Sequence, residues 1–379
     1  MWFTYNFNKN IIELIPHQIK AHDRDLECYI IDIKDIHIDT PPPPRICNMS
    51  TSDSCNEGAS ISNDDVCDVN DKLQNMSTVD KDNDTSVCAN CGMEGASNMC
   101  AKCKQVKYCN AVCKKVHKKK HKKDCEEHIR LAAEHEAKLF KEPPVAEDCP
   151  ICFLTLPSLY TGYKYQTCCG KLICSGCIHA PLYDNQGNKV DNKKCPFCRV
   201  VTPESDEEVI KRMMKRVEVD DPSALCRTGN WYVDGLNGFP QDYNKGLELY
   251  LRAGELGYSA AYGSIGWAYD NGEGVDQDEE KANHYYELAA MKGCAISRYN
   301  LGNKEHRAGN YDRALKHYMI AVGDGHADSL QEIQDLFTNG QVTKEDYTKA
   351  LRLYQEYLSE IKSRQRDEAA AADEECRYY

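Results

Sequence analysis

Residues 88–125 read CANCGMEGASNMCAKCKQVKYCNAVCKKVHKKKHKKDC, and residues 148–199 read DCPICFLTLPSLYTGYKYQTCCGKLICSGCIHAPLYDNQGNKVDNKKCPFCR. Of the 22 cysteines in the 379-residue chain, 15 fall between Cys88 and Cys198. Most stand in close pairs: Cys88/Cys91, Cys100/Cys103, Cys109/Cys113, Cys149/Cys152, Cys174/Cys177 and Cys195/Cys198. Two thiolates separated by two residues can turn on a tight loop and both reach one tetrahedral ion at about 2.3 Å, so two such pairs close a structural zinc site. Cys125, Cys168 and Cys169 remain, with His121 four residues before Cys125. Eight donors per module then imply two zincs per module and about four per chain.

The rival reading of so many cysteines is a secreted disulfide scaffold. The N-terminus, MWFTYNFNKNIIELIPHQIK, lacks the basic-then-apolar layout of a signal peptide, and no run approaches the roughly 18 apolar residues of a membrane span. A reducing compartment, cytoplasmic or nuclear, is expected. The formal charge of −13 becomes more negative once thiols ionise around metal, which argues against nucleic acid as a global partner. The lysines 114, 115, 118, 119, 120, 122 and 123 read as a solvated helix face, with a nuclear-import or phosphate-binding role as the alternative.

Composition divides the chain into several domains. Residues 1–86 contain the proline run 41–44 and an Asp/Asn/Ser-rich tract, expected to be mostly disordered, with Cys47, Cys55 and Cys67 as free thiols. Strand-like alternation, YIIDIKDIHID, precedes the prolines. Residues 87–126 form the first zinc module and 127–145 a helical linker stopped by Pro143 and Pro144. Residues 146–205 form the second module, 206–221 a linker, 222–366 a helical array and 367–379 a frayed tail.

The first module resembles the MYND-type zinc finger across all eight ligand positions. That resemblance implies interleaved pairing: Cys88, Cys91, Cys109 and Cys113 on one zinc, Cys100, Cys103, His121 and Cys125 on the other. His117 competes as a ligand because it shares the helical face of Cys113 and His121. These fingers usually carry a Trp three residues before the ligand His, where this chain has Lys118. The resemblance implies a protein-interaction module.

The second module resembles a RING domain. Cys149, Cys152, Cys174, Cys177, Cys195 and Cys198 match six of the ligand positions. The usual histidine slot holds Lys171, whose ammonium has no lone pair for zinc. The adjacent Cys168 and Cys169 are expected to supply the two missing ligands, as in an all-cysteine variant, with His179 as the alternative. In ubiquitin-ligase RINGs the positions of Ile151, Pro196 and Arg199 contact the ubiquitin-conjugating E2 enzyme. A purely structural reading has Ile151 and Pro196 packing the two metal loops together.

From residue 222 a different rhythm takes over. Lys245-Gly246, Lys281-Ala282, Arg313-Ala314 and Lys349-Ala350 recur about every 36 residues, each basic residue followed five positions on by Tyr250, Tyr286, Tyr318 or Tyr354. This is the two-helix pattern of a solenoid, and it resembles Sel1-like repeats. The tyrosines are expected in the core, and residues 215–366 are expected to fold as an independent unit. The fold class is thus multidomain: two small zinc-stabilised domains plus an all-α solenoid of helix-pair repeats, with a disordered N-terminal region.

The function expected from these parts is an E3 ubiquitin-protein ligase. The RING would orient an E2–ubiquitin thioester, and the finger and array would recruit substrate protein. The alternative is a non-enzymatic zinc-binding interaction scaffold. Neither reading has a catalytic side chain of its own.

Overall fold

The computed structural model describes residues 87–379, apart from 145, 160, 181, 184–188, 191, 192 and 379. The disordered tract, the strand-like alternation and the free thiols expected within residues 1–86 lie outside the described residues. In the first module β1 (Asn98–Met99) pairs antiparallel with β2 (Lys107–Tyr108), and the chain enters α1 (Ala111–Leu139). Asn110 caps this helix by accepting from the Cys113 N–H at 2.9 Å, which also fixes a ligand position in the first turn. The helix runs unbroken through the boundary expected at residue 126. It is polar nearly all round, with only His121, Cys125 and Leu139 buried. Such a helix depends on anchors at its ends rather than on an apolar stripe.

In the second module β3 (Tyr163–Gln166) pairs antiparallel with β4 (Lys171–Cys174), in the register Tyr163↔Cys174 to Gln166↔Lys171. A short α2 (Ser175–His179) follows, then the two-stranded ribbon β5 (Leu182–Tyr183) and β6 (Lys189–Val190). The helix α3 (Asp206–Glu218) leads into the array.

The array consists of α4 (Pro222–Asp234), α5 (Tyr243–Glu255), α6 (Ser259–Asn271), α7 (Glu279–Met291), α8 (Ala295–Arg307), α9 (Tyr311–Gly323), α10 (Ala327–Thr338) and α11 (Lys344–Ile361), closed by α12 (Arg364–Ala372). Asp242 and Asp278 cap α5 and α7 by accepting from the N–H groups of Lys245 and Lys281, which explains the recurrent Asp-x-x-Lys. Within three successive pairs the same contact recurs. A Cβ on Gly229, Gly266 or Gly302 would lie under 3.0 Å from the ring of Tyr250, Tyr286 or Tyr318, so a glycine on one helix admits the tyrosine of the next. All three tyrosines are buried as the period predicts, and Tyr354 packs part-buried against the C-terminal core cluster.

The array is not separate from the zinc modules. Leu139, at the end of α1, is fully buried in the same core cluster as Leu225, Tyr250, Ile265 and Tyr286. Phe140 meets His317 in a tilted ring contact, centroids 4.6 Å apart, and Glu136 pairs with Arg313 and Lys316. The second module touches both ends of the array. At the front, Tyr165 donates to Asp221 Oδ2 at 2.9 Å, and the same oxygen accepts from Arg216.

At the back, the fully buried Arg366 donates to the carbonyls of Leu154, Thr155 and Ile361, and the Ser158 N–H donates to Tyr357. The chain end corrects the frayed tail: α12 packs on α2, and Cys376 and Tyr378 are buried. Its polar composition conceals a few buried anchors. The described residues accordingly fall within one compact unit. No helix among the described residues is long and apolar enough to cross a membrane.

Candidate metal centres

Four of the close cysteine pairs form the same local structure. In each, the first cysteine's N–H bonds forward to a carbonyl five or six residues on, and the residue after the second cysteine bonds back to the first cysteine's carbonyl. The forward bonds are Cys88 to Met93, Cys100 to Val106, Cys149 to Leu154 and Cys195 to Val200; the return bonds start from Gly92, Lys104, Phe153 and Arg199. Closing so tight a loop puts that last residue in the left-handed region, with φ of 73°, 56°, 58° and 63°. Only Gly92 adopts it without cost; the other three are held there against a penalty on the order of 1 kcal/mol.

The donors then converge in four groups: Cys88, Cys91, Cys109 and Cys113; Cys100, Cys103, His121 and Cys125; Cys149, Cys152, Cys174 and Cys177; Cys168, Cys169, Cys195 and Cys198. Within each group the ligand atoms lie within 4.8 Å of one another. A tetrahedral zinc with sulfur bonds of about 2.3 Å separates its sulfurs by about 3.8 Å. The Sγ–Sγ separations are 3.6 Å for Cys91/Cys109, 3.8 Å for Cys100/Cys125, 3.7 Å for Cys152/Cys174 and 4.0 Å for Cys169/Cys195. No disulfide forms among the described cysteines.

The charge distribution supports the fit. Cys149 is held down to about 4, first by the Cys174 thiol and also by the N–H groups of Ile151 and Cys152. Its neighbours go the other way. Cys177 is pushed up to about 12 by burial and by the facing thiols, and in the separate group of the finger Cys109 is pushed up to about 12 by Cys113 and then burial. Thiols crowded together cannot all ionise without a cation, and a divalent ion at the centre removes that conflict. The donor sets therefore fit structural zinc, with every tetrahedral position filled by protein.

The hairpin explains the adjacent cysteines. Cys168 and Cys169 occupy the turn between β3 and β4, closed by N–H bonds from Cys169 and Gly170 to the Gln166 carbonyl. Cys174 stands at the far end of β4, about 16 Å of extended chain away. One hairpin thus presents donors to two centres, while Lys171 points into solvent. His117 stands outside the convergent groups: its Nδ1 faces the Tyr108 hydroxyl at 3.3 Å. His179 does not join Cys168 and Cys169 either, because α2 carries it toward Cys376, 3.1 Å away. Ile151 and Pro196 are part-buried, and Arg199 is exposed beside the exposed Phe197. On α1 the lysines are mostly exposed, and Lys114 donates to the Met99 carbonyl.

Geometry and spacing define a chain of zinc-stapled modules joined to an array of helix pairs. Residues 88–125 match the MYND finger, and residues 222–258, 259–294 and 335–356 match the Sel1 repeat. The chain contains both. It is 27% identical over 132 residues to chitin synthase regulatory factor 4 of Schizosaccharomyces pombe, a match covering 35% of this chain and 21% of that protein. Among solved structures it is similar to a Sel1 repeat protein from Oxalobacter formigenes, at 30% identity and a TM-score of 0.34 over 44% of this chain and 64% of that one. It is also similar to c5321, a protective antigen of uropathogenic Escherichia coli strains displaying an SLR fold, at 26% identity and a TM-score of 0.34 over 43% and 35%. The chain thus spans about a fifth of the curated relative.

Sequence reasoning missed Arg366, Tyr378 and Cys376. Nothing in the spacing marks them, since their partners lie some 200 residues earlier in the chain.

Proposed function

We propose that this chain is a RING-type E3 ubiquitin ligase of a reducing compartment, in which the finger and the repeats hold protein substrate. The observation that carries the reading is the second module's interleaved pair of four-cysteine groups, bridged by the β3–β4 hairpin. Its flanking loops present the part-buried Ile151 and Pro196 and the exposed Arg199. Such a surface suits a shallow apolar contact with an E2 enzyme. Arg199, held in the left-handed region at the loop's end, offers a planar fork of donors to carbonyls of two partners. No side chain acts as nucleophile. The rate would come from holding the E2 thioester in a reactive pose for a substrate lysine, and zinc would only hold the loops.

The zinc ligands assigned to each group form part of this proposal, and metal analysis of residues 85–205 should return about four zincs. For the ligase itself the test is discharge of ubiquitin from a panel of E2 enzymes. Ile151→Ala and Arg199→Ala should each slow discharge at least tenfold with metal content unchanged, consistent with the roughly 2 kcal/mol commonly lost with one interface anchor. If no E2 is discharged faster by the wild-type protein, the ligase reading fails. The zinc-binding scaffold then stands, favoured by the two interaction modules that the chain contains.

A further inference from the structure

Outside the four groups, one more set of metal-ligating atoms converges among the described residues. The Cys376 Sγ lies 3.1 Å from His179 Nε2, at the end of α2, and 3.7 Å from Asp373 Oδ2. All three ligand atoms fall within 4.8 Å of one another. The finger supplies an internal yardstick, because its Cys103 sulfur and His121 Nε2 sit 3.2 Å apart. Asp373 is already oriented: its Oδ1 accepts from the Glu375 N–H at 3.0 Å, leaving Oδ2 turned toward the thiol. Beside the fully buried Cys376 sits the buried Ser175 hydroxyl, near enough to interact with that thiol and otherwise without a hydrogen-bond partner. A buried polar group with no partner calls for a physical reason.

We propose that His179, Asp373 and Cys376 form a fifth metal site, taking one zinc ion through three protein ligands and a fourth position filled by solvent. Thiolate, imidazole and carboxylate together suit zinc, and three protein ligands leave a coordination place open, unlike the filled groups of the modules. The ion enters from the exposed side of His179 and displaces the Cys376 thiol proton to solvent, forming the zinc–sulfur bond. Ser175 is placed to donate to the resulting thiolate, as hydrogen bonds from the surroundings commonly do at metal sites. Two ligands belong to the end of the chain and one to the second module, so the ion fastens the C-terminal turn to α2. A nucleophilic Cys–His dyad fits less well. The carboxylate is hydrogen-bonded to the thiol rather than orienting the imidazole, and the sulfur is closed off from any substrate.

The experiment uses the full-length chain, zinc-loaded, then dialysed against a weak chelator that strips open sites and leaves filled ones. Titration with zinc alone, followed by calorimetry and metal counting, should show one further equivalent in the wild type. His179→Ala and Cys376→Ser should lose it or bind it at least tenfold more weakly. Because the His179 side chain is exposed, its variant keeps the fold even if the buried Cys376→Ser does not. The tightly held zincs are counted separately, so a shortfall there bears on the module clusters, while the difference between wild type and His179→Ala decides the fifth site. A wild type that takes up no further ion, or a His179→Ala variant that binds it with unchanged affinity, overturns the proposal.

Discussion

Tyr286 shows how a single position departs from its repeat. Gly229 is followed by Asn230 and Gly302 by Asn303, and their side-chain oxygens accept from the Tyr250 and Tyr318 hydroxyls at 2.7 Å each. After Gly266 the corresponding place holds the half-exposed Trp267, and the Tyr286 hydroxyl is buried without a partner, although Asn300 and Asp270 lie near. Removing the hydroxyl should therefore cost little at Tyr286, while Tyr318→Phe should cost about 1–3 kcal/mol by stranding Asn303. Trp267→Asn should raise the thermal midpoint, by about 1 kcal/mol of stability. Melting curves of the three variants check this, and equal losses for the two Phe variants would contradict it. The zinc donors were legible in the sequence because their spacing is local, each loop of five residues making one knuckle. The pairing of Cys168 with Cys169 was less so. It depends on a hairpin whose register is set across strands, as does the dismissal of His179.

At the scale of elements, α9 carries a pair of groups with opposed titrations. His317 is pushed down to about 3 by burial and then by the nearby Arg298, Arg313 and Lys316. Asp324, just after α9, is pushed up to about 7 by burial, with Arg298 drawing it partly back. A depressed histidine gives stability that is present above its unfolded value of 6.5 and lost as the pH falls toward 3. A raised carboxylate gives stability that is present below 3.8 and lost as the pH rises through 7. Between pH 5 and 6.5 the two slopes oppose each other, so their joint contribution should be nearly flat. Asp324→Asn should unmask a loss of roughly 2 kcal/mol on going from pH 6.5 to 5, and His317→Phe the opposite slope. Denaturant midpoints across that range, taken relative to wild type, measure both; parallel profiles would show that neither group titrates as placed. The helices themselves followed from the Lys/Arg-to-Tyr spacing. The unbroken course of α1 did not, since a helix polar on all sides gives no periodic signal where finger ends and linker begins.

For the whole molecule, the second zinc module acts as a clasp between the first and last helices of the array. Its contacts run from Asp221 at one end to Tyr357, Arg366 and Tyr378 at the other. These contacts predict that residues 215–366, expected to fold alone, are coupled to the metal. Chelation of the full chain should lower the midpoint of its helical circular dichroism by several degrees, and an unchanged midpoint would show that the array stands alone. Arg366→Ala should destabilise by about 3 kcal/mol, because it strands the carbonyls of Thr155 and Ile361 and leaves a void, and it should hasten zinc loss from the second module. The buried reach of Arg366 also has a consequence for time. Every cysteine of the second module has been synthesised by residue 198, yet the guanidinium that satisfies Thr155 follows only at residue 366. At roughly 5–20 residues per second, the module waits on the order of ten to thirty seconds before the Thr155 carbonyl gains this partner. The ligands of the second module are thus all present before its closing side chain, so zinc can be bound before the clasp forms.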